Sequence, residues 1–205
     1  MAHQLRLLIA IICLMALPKA SSANGVQDVD LADLIDRYCI VPDGDIALTS
    51  ALARHDGMSE LASEDFENLR LPGARQLRGF TKTTNGVVVR VLTGHNRFRG
   101  GDAGTTFFNL CWVSASPMNR SEVDDGMRRE HQMRGFRQEG ARVYAWVPND
   151  DGTRRIVGSR EFKRRSHAIA REDGMRMLLT NDYLGMVAVT YMVSTTDCRD
   201  WCYRD

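Results

Sequence analysis

Beyond one run near the start, Leu7 to Leu17, the chain has no apolar stretch approaching the roughly 20 residues that a helix needs to cross a bilayer. It also lacks an excess of either charge. There are 27 lysines and arginines against 26 aspartates and glutamates, which removes any global electrostatic case for nucleic acid or an anionic membrane. The motifs of common chemistries are missing too. No Gly-x-Ser-x-Gly elbow occurs, no Gly-Lys-Ser/Thr phosphate loop, and Glu130-His131 lacks the second histidine of a zinc-protease helix. Cys198-Arg-Asp-Trp-Cys202 is one residue too long for a thiol-oxidoreductase pair. The histidines beyond the first run (His55, His95, His131 and His167) have no metal-ligand spacing, so neither a metal nor another cofactor is expected.

What is present begins with residues 1–23. Arg6 supplies a positive start, Leu7 to Leu17 an apolar core, Pro18-Lys19 a break and Ser21-Ser22-Ala23 small residues at a cleavage site. That order predicts a secretory signal peptide, with Cys13 leaving inside it. The remainder, residues 24–205, is expected to be one domain, soluble and without a membrane span, in the periplasm or outside the cell. It keeps 25 basic and 26 acidic residues, a net charge of −1.

Four cysteines then remain: Cys39, Cys111, Cys198 and Cys202. An even count in an exported chain predicts two disulfides. The preferred pairing is Cys39–Cys111 with Cys198–Cys202, and the rival is Cys39–Cys198 with Cys111–Cys202.

The first third has helical period. Leu31, Leu34, Ile35, Tyr38 and Cys39 form one stripe behind an aspartate cap, Asp28 or Asp30. Asp45 can cap a second helix to about Arg54, with Leu48 and Leu52 inward, and Ser63 to Leu69 reads as a short third helix. The period then changes to two. Strands are predicted over Gln76–Lys82 and Val87–Leu92, joined by an Asn85-Gly86 hairpin turn, and over Thr105–Val113. In the last of these, Phe107, Asn109, Cys111 and Val113 alternate with Phe108, Leu110 and Trp112, the pattern of a strand covered on both faces. Residues 120–134 read as a surface helix with Ser121 as cap and Gly135 as stop. Further strands are predicted over Arg142–Val147, Arg154–Glu161, Met175–Thr180 and Tyr183–Ser194, the final pair turning around Asn181-Asp182.

The sum is an α+β fold. N-terminal helices pack on a mostly antiparallel sheet of six or seven strands, with one inserted surface helix and disulfide staples.

Two stretches are candidates for function. The glycine-rich segment Thr93–Gly104 carries His95, Arg97, Arg99 and Asp102 between two strands. Glycines permit close approach of a ligand, and the arginines suit a carboxylate or phosphate. The competing reading is a solvated hairpin loop. The second is the basic segment Arg154–Arg171, with Arg154, Arg155, Arg160, Lys163, Arg164, Arg165 and Arg171 against Glu161 alone. It reads as a charged edge strand and irregular loop that discourage edge pairing, or as a contact for an anion. The expected function is therefore non-catalytic binding, with an envelope protein or an anionic envelope ligand as the partner class. The alternative is a small hydrolase or transferase using His95 as base, Asp102 as its orienter and the arginines as an anion clamp.

Overall fold

The computed structural model describes residues 29–62, 64–65, 73–99, 104–183 and 185–196. Their elements follow the chain as α1 (Leu31–Ile35), which runs on through a π-helical turn (Asp36–Ile40), then α2 (Ile46–His55). Four strands come next: β1 (Ser59–Glu60), β2 (Ala74–Thr84), β3 (Val87–Arg99) and β4 (Thr105–Ser116). After them stand α3 (Arg120–His131), β5 (Phe136–Gln138), β6 (Ala141–Pro148), β7 (Arg154–Ile156), α4 (Ser159–Glu172), β8 (Arg176–Tyr183) and β9 (Met186–Thr195).

All pairings are antiparallel, in the order β1-β2-β3-β4-β9-β8-β6-β5, with β7 also on β6. The α+β class thus holds, while the described residues hold nine strands rather than six or seven. The two strands that the sequence hides, β1 and β5, have two and three residues. So few positions cannot establish an alternation.

β4 occupies the middle of the sheet and feeds a main core on each face, with Trp112 in a small third cluster beside Leu92 and Ala188. Cys111, Val113 and Ala115 belong to the larger one, with Val89, Val91, Val187, Val189, Tyr191 and Trp146. Leu31, Ile35, Tyr38 and Cys39 from α1 and its π turn cover this face, together with Val123 and Met127 of α3. The Cys39–Cys111 disulfide ties the helical segment to the strand; both cysteines are wholly buried. Cys198 and Cys202 lie outside the described residues. On the opposite face Phe108 and Leu110 pack with Val143, Ala145, Met177 and Met192 beneath Ile169 and Ala170 of α4.

Local signals explain several boundaries. Asp30 caps α1 by accepting from Ala32 N at 2.8 Å, and Asp45 caps α2 by accepting from Leu48 N at 2.8 Å. Asn85 and Gly86 both take positive φ, 51° and 79°, as a type I′ turn requires.

Other expectations need correction. Leu48 faces solvent, and α2 buries Thr49, Ser50 and Ala53 instead. Asn119, not Ser121, caps α3: its Oδ1 accepts from Ser121 N at 3.0 Å and from Ser121 Oγ at 2.8 Å. The helix stops at Gln132, in the left-handed region, before reaching Gly135. β8 runs on to Tyr183, which pairs with Met186, so Asn181 and Asp182 lie in the ladder and the hairpin turns three residues later. Most of the expected third helix, 63–69, lies outside the described residues.

The largest correction is α4. The segment read as a charged edge strand and loop is a strand of three residues followed by a helix of 14. Its apolar stripe, Phe162, Ile169 and Ala170, is thin, and arginines dominate the composition. Helical spacing is nevertheless present, and burial on the sheet selects it. α3 and α4 are thus both inserted among the strands, one on each face.

Candidate ligand cavity

β3 extends to Arg99, so the predicted loop is mostly strand. His95 pairs with Asn109, Arg97 with Phe107 and Arg99 with Thr105 across β4. Residues in register share a face, so His95, Arg97 and Arg99 stand on the side of Cys111. His95 Nδ1 lies 3.1 Å from Asn109 Oδ1, and burial pulls the imidazole below its ordinary pKa despite that contact. Asp102 lies outside the described residues.

The neighbouring residue does something different. Phe98 alternates to the opposite face, where its ring meets Phe108 edge-on at 5.6 Å between centroids. The two rings begin the lining of a cavity of about 450 Å³ between α4 and the sheet. Its sheet side is Phe108, Val143, Met175, Met177, Leu179 and Met192. Its helix side is Phe162, Lys163, Ser166 and His167, and the β5–β6 turn closes one edge with Gln138 and Glu139. Volume and lining match those of small-molecule pockets, which run to roughly 300–1,000 Å³ and are apolar with a few placed polar groups.

Physical chemistry accounts for the arrangement. Phe162, Ser166, Ile169 and Ala170 fall on one stripe of α4, at i, i+4, i+7 and i+8. Ile169 and Ala170 reach the sheet and are buried; the turn before them stands off it, supported by Phe162 against Phe136 at 5.3 Å between centroids. Thr106 Oγ1 and His167 Nδ1 lie 2.9 Å apart and join β4 to the helix beside the cavity. Among the polar groups Lys163 and Glu139 are exposed, which marks their edge as the one open to solvent.

His95 lines a separate concavity of about 540 Å³ with Ile46, Ala47, Gln76, Leu77 and Arg78. A cleft of about 410 Å³ beside the π turn contains Arg37, Tyr38, Asp56 and Lys82. Its charges serve one another: Arg37 Nε and Tyr38 Oη each donate to Asp56 Oδ2 at 2.6 Å, and Lys82 Nζ donates to the Asp56 carbonyl at 2.7 Å. The Arg37 hydrogen bonds hold the Asp56 carboxyl below the usual carboxylate range. His131, at the end of α3, is buried with Nε2 3.5 Å from Asp36 Oδ1, a contact between helices. No group of three or more potential metal ligands occurs among the described residues. No helix among them is long and apolar enough to cross a membrane.

Sequence reasoning missed Phe98, Phe108, Phe162 and the methionines as a set, although the alternation in β4 already placed Phe108 apart from Cys111. No known protein family matches this chain, and no curated protein or solved structure is significantly similar to it.

Proposed function

We propose that the protein is an exported, non-catalytic binding protein, acting in the periplasm or outside the cell, that takes a small, largely apolar molecule into the cavity beneath α4. The lining carries the reading: three phenylalanines and three methionines surround about 450 Å³ of space, with Lys163 and Glu139 at the solvent edge. Methionine side chains are unbranched and polarizable, and they adapt to ligands of varied outline. Export rests on the signal-peptide pattern of residues 1–23, and the Cys39–Cys111 disulfide suits an oxidising compartment.

The competing reading, a hydrolase or transferase built on His95, has less in its favour. Its expected orienter, Asp102, lies outside the described residues, and the contact seen at His95 Nδ1 is the Asn109 amide at 3.1 Å.

Titrating residues 24–205 with the apolar fluorophore 8-anilinonaphthalene-1-sulfonate (ANS) tests the proposal. Saturable binding is expected in the wild-type protein, lost in Leu179→Trp, which fills the cavity from its partly buried wall, with the melting temperature retained. Absence of saturable binding, or binding indifferent to that substitution, would overturn it.

A further inference from the structure

The charges of α4 divide by face. At 100° per residue, Arg160, Lys163, Arg164, His167 and Arg171 fall on one flank, beginning at the cavity edge. Both acids of the helix, Glu161 and Glu172, fall on the other flank, and each is already paired: Arg155 Nη1 reaches Glu161 at 2.8 Å, and Arg165 Nη2 stands 4.0 Å from Glu172. Among the described residues, Arg160, Lys163, Arg164 and Arg171 form no ion pair. A surface that pairs its acids on one flank and leaves an acid-free cationic flank beside an apolar hole is complementary to a molecule with an apolar body and an anionic head.

We propose that the occupant of the cavity is an anionic amphiphile, an alkyl or aryl chain ending in a carboxylate or phosphate, with the chain among the phenylalanines and methionines and the head on Lys163. This rests on the binding reading given above. Lys163 is the cation that both lines the cavity and reaches solvent, so a head bound there keeps its hydration on one side and avoids the cost of burying a charge. Ser166 and His167, one turn on, supply further polar contacts for the head. Arg160 and Arg164 raise the local potential that draws the anion in. One acid opposes them at the same edge: Glu139, in the β5–β6 turn, where it accepts from Gln138 Nε2 at 3.2 Å. Its presence sets the sign of a second test.

The experiment compares three ligands of one chain length, decanoate, decyl phosphate and decanol, by calorimetric titration of residues 24–205 at pH 7. Either anion should bind more tightly than decanol. Lys163→Gln should weaken the anion roughly three- to tenfold, Glu139→Gln should strengthen it by a similar factor, and decanol should respond to neither. The tighter anion tells whether the head is a carboxylate or a phosphate. Decanol binding as tightly as both anions, or Lys163→Gln leaving the anions unaffected, overturns the anionic head while the apolar cavity stands. Failure of all three ligands to bind overturns both.

Discussion

The Tyr191 hydroxyl donates to Asp43 Oδ1 at 2.8 Å, joining the turn that follows the π-helical segment to a strand in the middle of the sheet. Asp43 sits at φ 51°, in the left-handed region, and its carboxylate also takes Arg176 Nε at 2.9 Å and Nη2 at 2.5 Å. Beside it Gly44, at φ 74°, lies where a Cβ would meet Val193 Cγ2 at 3.1 Å. One turn, close in sequence to the Cys39 end of the disulfide, thus fastens the helical segment to β8 and β9.

Asp43→Ala should destabilise the fold by about 1–3 kcal/mol, since it leaves the buried Tyr191 hydroxyl and the Arg176 fork without an acceptor. Partial solvent exposure of Asp43 places the effect toward the lower end. Urea unfolding followed by tryptophan fluorescence measures it. An unchanged midpoint would show the clamp to be ornamental.

Acid should weaken the protein through the same group. Burial pushes the Asp43 carboxyl up, but hydrogen bonds from Arg176 and Tyr191 and the charge of Arg176 outweigh it, so its pKa stays below 3.8 in the fold. Asp56 is likewise lowered, by Arg37 first. For both, the unfolded chain takes up the proton first, so stability present at neutral pH is lost as pH falls below about 4 and through the folded values. Urea midpoints at pH 7 and pH 3 should differ less in Asp43→Asn than in wild type; an equal drop would assign the acid sensitivity elsewhere.

Replacing Cys39 and Cys111 together by alanine should cost about 4 kcal/mol on the chain-entropy account, given their separation of 72 residues. Because both are buried, the native bond should resist reductants until the fold opens. Alkylation of these two thiols by iodoacetamide under native reducing conditions would contradict this.

The β5–β6 turn holds a residue poorly suited to its backbone. Glu139 and Gly140 have φ 48° and 83°, the two-residue pattern in which asparagine is favoured at the first position. Glu139→Asn should raise stability by about 0.5 kcal/mol, readable as an increase in melting temperature. A decrease would mean that the glutamate makes a contact worth more than its strain.

Processing gives a further check. Expressed with its own N-terminus in a bacterium that exports proteins, the chain should be recovered starting at Asn24. Recovery of an intact Met1 terminus from the periplasmic fraction would remove the signal-peptide reading.

Much of the helix-bearing half was legible without coordinates. Leu31, Ile35, Tyr38 and Cys39 repeat at helical spacing, Asp30 and Asp45 stand where caps belong, and Asn85-Gly86 tolerates the positive φ of its turn. These are local preferences, expressed within one or two turns of chain. The alternation through β4 separated Cys111 from Phe108 correctly for the same reason, since successive side chains of a strand must diverge. The basic segment was misread because its arginines mask a three-residue apolar stripe, and only the sheet beneath it rewards the helix.

The cavity was not legible at all. Phe98, Phe108, Phe162, Met177 and Met192 are scattered over four strands and a helix, and no spacing in the chain announces that they meet. Their meeting depends on β9 returning to pair with β4, and on α4 crossing to the face that the disulfide leaves uncovered. The sequence by itself determined the α+β class, the Asp45 cap, the Asn85-Gly86 turn and the two faces of β4, because each follows from short-range backbone and side-chain preferences. The tertiary structure alone decided the strand order, the helix on the second face and the apolar cavity edged by Lys163, because those follow from pairings between segments far apart in the chain.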